Sequence, residues 1–130
     1  MMKVELHRIV ELLHNYFDAL YECDTGKLAE VFHDKALYGC IENGKLLTRD
    51  MQTYFPVVRQ RVSSLSKGER RRDKIDTIDM AGSNTAMAKV HCAIGERYFT
   101  DYLSLLKISG EWKIISKVFY FDVIKEGNYG

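Results

Sequence analysis

The feature that most constrains the fold is the second half of the chain, where long apolar segments alternate with short turn signals. Segments at 72–80, 84–94, 98–108 and 112–124 are rich in β-branched and aromatic residues. Such runs, bounded by glycine, asparagine or serine, are typical of strands. The last two exceed ten residues, which is longer than most strands and long enough to bend. This half therefore predicts a four-stranded antiparallel meander.

The first half of the chain has a helical period instead. Apolar residues recur every three or four positions through residues 3–22, which predicts one amphipathic helix. Asp24 is a suitable N-cap for a second helix that reaches His33. Thr48 can cap a third helix, in which Pro56 should cause a kink or a break. The third helix has a predicted buried stripe of Met51, Tyr54, Phe55, Val58 and Val62.

A short hairpin separates the second and third helices. Residues 36–41 are strand-like, and Asn43-Gly44 is a strong signal for a tight turn to a partner strand over 45–47. Helices segregated from an antiparallel sheet define the α+β class. We therefore expect one α+β domain over residues 1–130, with three N-terminal helices packed on a strongly curved mixed or antiparallel sheet.

Composition and charge exclude several function classes. A net charge of +1 gives no field that would attract nucleic acid or a membrane surface, and no apolar run approaches a membrane span. Cys23, Cys40 and Cys92 are odd in number and lack close spacing, which argues against disulfides and a zinc site. Reduced thiols and the lack of a recognisable signal peptide predict a cytoplasmic protein. We expect no metal and no cofactor.

Both faces of the last strands are apolar. Turns at Gly95-Glu96 and over Ser109–Glu111 would pair Cys92 with Phe99 and Ile108 with Trp112, although one bulge would exchange part of this assignment. One face then carries His91, Tyr102, Ser104, Leu106, Ile108, Trp112, Ile114 and Tyr120. The other carries Phe99, Asp101, Leu103, Leu105, Ile115, Phe119 and Phe121. Helices cover only one face, so we expect a homodimer through the other; the alternative is a surface of scattered apolar residues.

Four stretches carry a resemblance to a known superfamily: Tyr16–Leu20, Asp24–Ala36, Asp101–Lys107 and Gly110–Lys117. Their order resembles the nuclear transport factor 2-like superfamily, which has a cystatin-like fold and includes ketosteroid isomerase, scytalone dehydratase and the SnoaL-like cyclases. The most similar subfamily is described as "putative lumazine-binding". The resemblance implies a cone with a pocket that binds a small molecule, either a flat lumazine-like or pterin-like heteroaromatic or a polyketide-like compound.

The resemblance also implies roles for individual residues. Tyr16 lies about where ketosteroid isomerase has a tyrosine that donates to a developing oxyanion. Cys40 stands at the position of that family's carboxylate base, so this chain lacks that base. Asp101 lies near the family's second acid, but the register above places it on the face opposite His91.

Tyrosine and histidine side chains are the remaining candidates for a site. Tyr16, Tyr54, Tyr102 and Tyr120 could line a ligand cavity, or they could be core tyrosines whose hydroxyls reach the surface. His91 could act as a general base or hold a ligand carbonyl, or it could be a hydrogen-bonded histidine at the core edge. Three hypotheses stay open: a non-catalytic binding protein, an isomerase, cyclase or dehydratase that uses His91 and Tyr16, and an assembly module whose cone is filled by side chains.

Overall fold

The computed structural model describes residues 2–124. Within that range three helices and six strands follow one another along the chain: α1 (Met2–Glu22), α2 (Thr25–Val31), β1 (Phe32–Glu42), β2 (Lys45–Asp50), α3 (Met51–Arg59), β3 (Lys74–Ala81), β4 (Thr85–Ile94), β5 (Arg97–Ile108) and β6 (Glu111–Val123). The strands form one sheet in the order β2-β1-β6-β5-β4-β3. Only β1 and β6 pair in parallel. The predicted α+β class is confirmed.

The helices differ from the prediction mainly at α3. Asp24 caps α2 as expected, since its carboxylate accepts from the Lys27 amide. Thr48 lies inside β2, and the N-cap of α3 is Asp50, whose carboxylate accepts from the Thr53 amide at 2.8 Å. Pro56 does not split the helix, which continues past it and ends at Arg59. Val62 lies beyond the helix and is 68% exposed, so its place in the buried stripe was wrong.

Two local features set the faces of β6. The turn between β5 and β6 is the two-residue Ser109-Gly110, with φ values of 51° and 83°, so the predicted three-residue turn was wrong. A bulge then leaves Ile115 without a partner on β5. The shorter turn places Trp112 and Ile114 in the core and not on the face of His91, and the bulge restores the predicted pairing from Ser116 onward. Beyond the bulge, Phe119 and Tyr120 lie on the predicted faces.

The core lies between the helices and the inward face of the sheet. Helix α1 contributes Ile9, Leu12, Leu13, Tyr16, Phe17, Ala19 and Leu20, and the sheet contributes alternate residues of β1, β4, β5 and β6. The outward face is not covered by any element among residues 2–124, and several large apolar side chains on it are exposed. Within the same residues, no helix has both the length and the apolar character needed to cross a membrane.

Candidate functional site

A cluster of polar side chains is buried on the inward face of the sheet. It consists of Tyr16 on α1, Tyr54 on α3, Asp101 on β5 and Lys117 on β6, and we call it the inner polar cluster. Asp101 is fully buried and Lys117 is 5% exposed. Strand alternation places both side chains there. Asp101 and Leu103 point inward from β5, and Lys117 is the partner of Leu103 on the neighbouring strand β6, so it points inward as well. Charged residues are rarely buried this deeply unless they are paired.

The distances within the inner polar cluster leave hydrogen-bonding capacity unused. The Tyr16 hydroxyl donates to Asp101 Oδ2 at 2.6 Å. Lys117 Nζ lies 4.0 Å from the same oxygen and 3.4 Å from the Tyr54 hydroxyl. A separation of 4.0 Å is too long for a hydrogen bond. Asp101 Oδ1 is buried and has no hydrogen-bond partner among the described residues.

Aromatic rings surround the Lys117 ammonium. Its Nζ lies 5.2 Å from the ring centre of Tyr16, 5.7 Å from Tyr38, 5.5 Å from Tyr54 and 5.3 Å from Phe119. Each distance is within the range of a cation–π attraction, which is stronger where water is excluded. The rings therefore help to hold a positive charge in the core, in addition to Asp101.

The environment fixes which groups carry protons. Burial on its own would lower the pKa of Lys117, but the Asp101 carboxylate and the nearby Tyr54, Cys92 and Tyr38 outweigh it and raise this pKa. Burial and Asp101 also raise the pKa of Tyr16 well above its ordinary value. At neutral pH, Lys117 is thus an ammonium and Tyr16 a neutral phenol, which makes both of them hydrogen-bond donors.

The two cysteines on the inward face are poor nucleophiles. Burial raises the pKa of the Cys92 thiol strongly and that of the Cys40 thiol to a smaller degree. A thiol of raised pKa holds little thiolate at neutral pH, and the thiolate is the reactive form. Cys40 and Cys92 therefore act as small apolar side chains that fill the core.

A cleft opens at the end of the sheet where β1 meets β6, and its lining includes none of the four residues of the inner polar cluster. It has a volume of about 310 Å³, and its lining residues are Cys40, Ile41, Glu42, Asn43, Arg97, Phe119, Tyr120 and Phe121. Phe119 belongs both to this lining and to the ring of aromatics around Lys117. Phe119 is thus the residue common to the lining of the cleft and the surroundings of Lys117.

The structure separates the five predicted ligand-binding residues into two groups. Tyr16 and Tyr54 lie together in the inner polar cluster, whereas His91, Tyr102 and Tyr120 lie on the outward face. His91 Nε2 is 3.1 Å from Asp76 Oδ2, and its Nδ1 is 3.1 Å from Thr100 Oγ1. His91 points to the outward face of the sheet, because alternate residues of β4 point to opposite faces. Tyr16 packs against the inward face, so the sheet lies between the two side chains. The two side chains therefore do not form one active site.

Sequence analysis did not single out Lys117. A lysine in a strand is most often a solvated residue of the outward face. The sequence does contain a signal, because every second residue of a strand points to the same face. Lys117, Phe119 and Phe121 are spaced in this way, so Lys117 shares its face with two aromatic residues. Asp101 stands in the facing row between Phe99 and Leu103. Opposite charges in two adjacent apolar rows indicate a buried pair.

Comparison with known proteins gives a consistent set of relatives. The family described as "Putative lumazine-binding" matches residues 5–120. Aldolase FrzH of a Cladobotryum species is 26% identical over 119 residues, which cover 89% of this chain and 90% of that protein.

Solved structures show the same fold. An NTF-2-like protein of unknown function from Shewanella baltica superposes with a TM-score of 0.85 at 26% identity, covering 94% of this chain and 97% of that one. A second such protein, from Silicibacter pomeroyi, also has a TM-score of 0.85, at 21% identity and 94% and 99% coverage. A ketosteroid isomerase-like protein from Erwinia carotovora atroseptica has a TM-score of 0.69 at 12% identity, covering 90% and 95%.

Proposed function

The chain belongs to the "Putative lumazine-binding" family of the nuclear transport factor 2-like superfamily, and on that premise we propose that it binds a small, flat, carbonyl-bearing molecule at the inner polar cluster. The observation that carries the proposal is the buried pair of Lys117 and Asp101. A buried ion pair is often no more stabilising than apolar side chains of the same size. We infer that this pair is retained for its chemistry.

Lys117 and the aromatic rings around it have separate roles in such binding. The Lys117 ammonium has three N–H groups, and one of them can donate a hydrogen bond to a carbonyl oxygen. The rings of Tyr38, Tyr54 and Phe119 supply flat apolar surfaces against which a planar ligand can stack. A ligand that enters from the cleft would have to displace the ring of Phe119, which contacts Lys117 and is part of the cleft lining.

Binding can be tested with coumarin, a flat molecule that carries one ring carbonyl. We expect amide chemical-shift changes in β5 and β6 of the wild-type protein when coumarin is added. A double variant, Asp101→Leu with Lys117→Met, keeps the core apolar and should bind at least about tenfold more weakly, because it lacks the charged donor. His91→Ala is the matched control on the outward face and should bind like the wild type. Equal binding by the double variant would place the ligand elsewhere.

A second candidate function is catalysis of proton transfer next to a carbonyl, as an isomerase or aldolase requires. The observation that favours it is the free oxygen of Asp101 beside the Lys117 ammonium; the aldolase relative agrees with it. Asp101 Oδ1 would accept the proton from the carbon next to the carbonyl, and the electron pair of that C–H bond would form the enolate. Lys117 would stabilise the negative charge that develops on the enolate oxygen.

We also propose that the chain forms a homodimer through the outward face of the sheet. A groove of about 590 Å³ crosses β2, β1 and β6, and its lining includes Gly39, which has no side chain, and Lys117. Its walls include apolar side chains that are 55–73% exposed: Leu37, Ile41, Leu46, Val118 and Tyr120. Exposed Tyr102 on β5 and Met87 on β4 extend the apolar surface across the sheet. An exposed apolar face of this size is well suited to a second copy of the chain.

The dimer can be tested with two matched valine-to-lysine variants. Val118→Lys puts a charge in the centre of the apolar outward face, so we expect it to shift the protein from dimer to monomer in sedimentation velocity. Val62→Lys changes a valine of similar exposure away from the sheet, and it should sediment like the wild type. A wild-type protein that sediments as a monomer at all accessible concentrations would refute this interface.

A further inference from the structure

A second cavity lies between the loop that follows α3 and the turn that joins β4 to β5. It has a volume of about 670 Å³. The charged residues in its lining are three cations and two carboxylates, namely Lys67, Arg70, Arg72, Glu69 and Glu96. None of these residues belongs to the inner polar cluster, to the cleft between β1 and β6 or to the groove on the outward face. The functions proposed above therefore leave this cavity without a role.

Hydrogen bonds hold the two walls of this cavity together. The Leu65 amide donates to the Tyr21 carbonyl oxygen at 3.1 Å, and the Tyr21 hydroxyl donates to the Glu69 carbonyl oxygen at 2.6 Å. Across the cavity, the Gly95 amide donates to the Glu69 carboxylate at 3.2 Å. The loop is thus fixed both to the end of α1 and to the turn between β4 and β5. A preformed cavity of this kind binds a ligand at a lower cost in conformational entropy.

Arg72 is held in position by a stack of flat groups. Its guanidinium carbon lies 4.9 Å from the ring centre of Tyr98. The Tyr98 ring in turn stacks on the imidazole of His91, with 5.6 Å between ring centres and 4° between planes. Hydrogen-bonding contacts to Asp76 and Thr100 fix that imidazole. A planar guanidinium supported in this way is suited to pair with two oxygens of one anion.

The other two cations of the lining have no acid of this chain as a partner. Lys67 and Arg70 are exposed, and among residues 2–124 neither lies within ion-pair distance of a carboxylate. The neighbouring Arg71 does not line the cavity and is paired with Asp18 at 2.9 Å and Asp73 at 2.6 Å. The nearby acids therefore neutralise Arg71 and leave Lys67 and Arg70 available for an anion from outside the chain.

We propose that this cavity binds a small-molecule phosphate monoester, with its phosphate group held by Lys67, Arg70 and Arg72. Arginine pairs with two phosphate oxygens at once, and lysine adds a point charge. A phosphate monoester carries a charge of about −1.5 to −2 at neutral pH, which three cations match better than they match a single carboxylate. The site is separate from the proposed carbonyl-binding site and does not depend on it.

The remainder of the cavity indicates what the ester carries besides phosphate. The volume lies within the range of about 300–1,000 Å³ that is typical of small-molecule sites, so a phosphate ion alone would leave most of it empty. Glu69 and Glu96 are hydrogen-bond acceptors and would repel a second anionic group. Hydroxyl groups can donate to both carboxylates. A hydroxylated ester, such as a sugar phosphate, therefore complements the cavity better than a polyanion does.

Glucose 6-phosphate is the probe for this site, and glucose and inorganic phosphate represent its two parts. Each compound is titrated into the wild-type protein at constant ionic strength, and amide chemical shifts over residues 67–72 and 93–96 give the dissociation constants. We expect glucose 6-phosphate to bind at least about tenfold more tightly than either part. Glucose of equal affinity would overturn the role of the cations, and inorganic phosphate of equal affinity would overturn the role of the carboxylates.

Three exposed side chains allow a matched comparison of variants. Lys67→Gln and Arg70→Gln should each weaken the binding of glucose 6-phosphate at least about tenfold, because each removes a charged donor from the cavity. Lys74→Gln removes a charge from the same basic segment outside the cavity, so its effect should stay below about threefold. Equal weakening by all three variants would overturn the cavity as the binding site.

A lipid headgroup could present the same phosphate chemistry, and a vesicle assay distinguishes the two sources. Phosphatidylcholine vesicles that contain phosphatidic acid carry a phosphate monoester at their surface. We expect the wild-type protein to stay in the supernatant when these vesicles are sedimented, because a concave site encloses a small ligand better than a flat surface. Sedimentation with these vesicles, without binding of free glucose 6-phosphate, would overturn the small-molecule assignment.

Discussion

Replacing Lys117 with methionine is expected to lower the free energy of unfolding by about 3–5 kcal/mol, because Asp101 then becomes a buried carboxylate with no cation. Asp101→Leu should cost a similar amount, since it leaves the ammonium uncompensated. The double variant should recover most of this loss, because apolar residues that replace a whole buried pair are often neutral or stabilising by about 1–4 kcal/mol. The three variants and the wild type form a complete double-mutant cycle.

Urea unfolding followed by circular dichroism measures all four proteins. A matched control is Lys89→Met, which removes a lysine of similar strand context from the outward face and should change the unfolding free energy by less than about 1 kcal/mol. Additive losses in the double variant would mean that Lys117 and Asp101 are not coupled. Lys117 and Asp101 would then be two independent buried charges, and they could not serve together as a donor and an acceptor for one ligand.

The pKa shifts add a pH dependence to the same measurement. The pKa values of Lys117 and Tyr16 are raised above their ordinary 10.5 and 10.0. Well below pH 10 both groups are protonated in the folded and the unfolded chain, so their stabilising contribution is fully present. As the pH rises further, the unfolded chain releases these protons first, and the free energy of unfolding falls by on the order of 1 kcal/mol per pH unit for each proton.

Tyr16→Phe isolates one of these contributions. Between about pH 10 and pH 11, the free energy of unfolding of this variant should fall less steeply than that of the wild type, since one of the titrating groups is gone. The buried Cys92 thiol titrates in the same direction, and it is present in both proteins. The midpoint of urea unfolding at several alkaline pH values provides the comparison. Parallel slopes would show that the Tyr16 hydroxyl is not held protonated by its surroundings.

Local signals account for most of the fold that could be predicted. The Asn43-Gly44 turn has positive φ at both residues, 53° and 74°, as the dipeptide indicates. The Asp24 cap and the period of α1 also depend on near neighbours in the sequence, which explains why their positions agree. The six-stranded order does not depend on such signals: β1 joins β6 in parallel over a long separation, and no short motif marks that pairing.

The features that could not be predicted depend on one-residue shifts in the pairing of neighbouring strands. A turn shorter by one residue decides that Trp112 and Ile114 face the core, and one bulge at Ile115 restores the predicted faces beyond it. The four candidate tyrosines did not predict one common site, because they lie on two different faces of the sheet. Tyr102 and Tyr120 lie on the outward face and are 48% and 62% exposed, whereas Tyr16 and Tyr54 are buried. Residue type does not encode the face; only the register does, and so the sequence analysis did not single out Lys117.

The exchange of protons next to a ketone provides the strongest test of catalysis. In D₂O, the wild-type protein is expected to accelerate the incorporation of deuterium into cyclohexanone, because Asp101 can take the proton while Lys117 stabilises the enolate oxygen. Asp101→Asn keeps the shape of the side chain but removes the base, so the rate should fall by at least about 100-fold. Proton NMR of the ketone follows the exchange directly.

Two further variants assign the roles within the inner polar cluster. The Lys117→Met, Asp101→Leu double variant should have no activity above the buffer rate, and its stability separates this loss from unfolding. His91→Ala should exchange at the wild-type rate, since His91 lies on the opposite face of the sheet. Loss of activity in His91→Ala would move the reaction to the outward face, where Asp76 and Thr100 contact that histidine. Exchange by Asp101→Asn at the wild-type rate would exclude Asp101 as the base and leave the inner polar cluster with a binding role only.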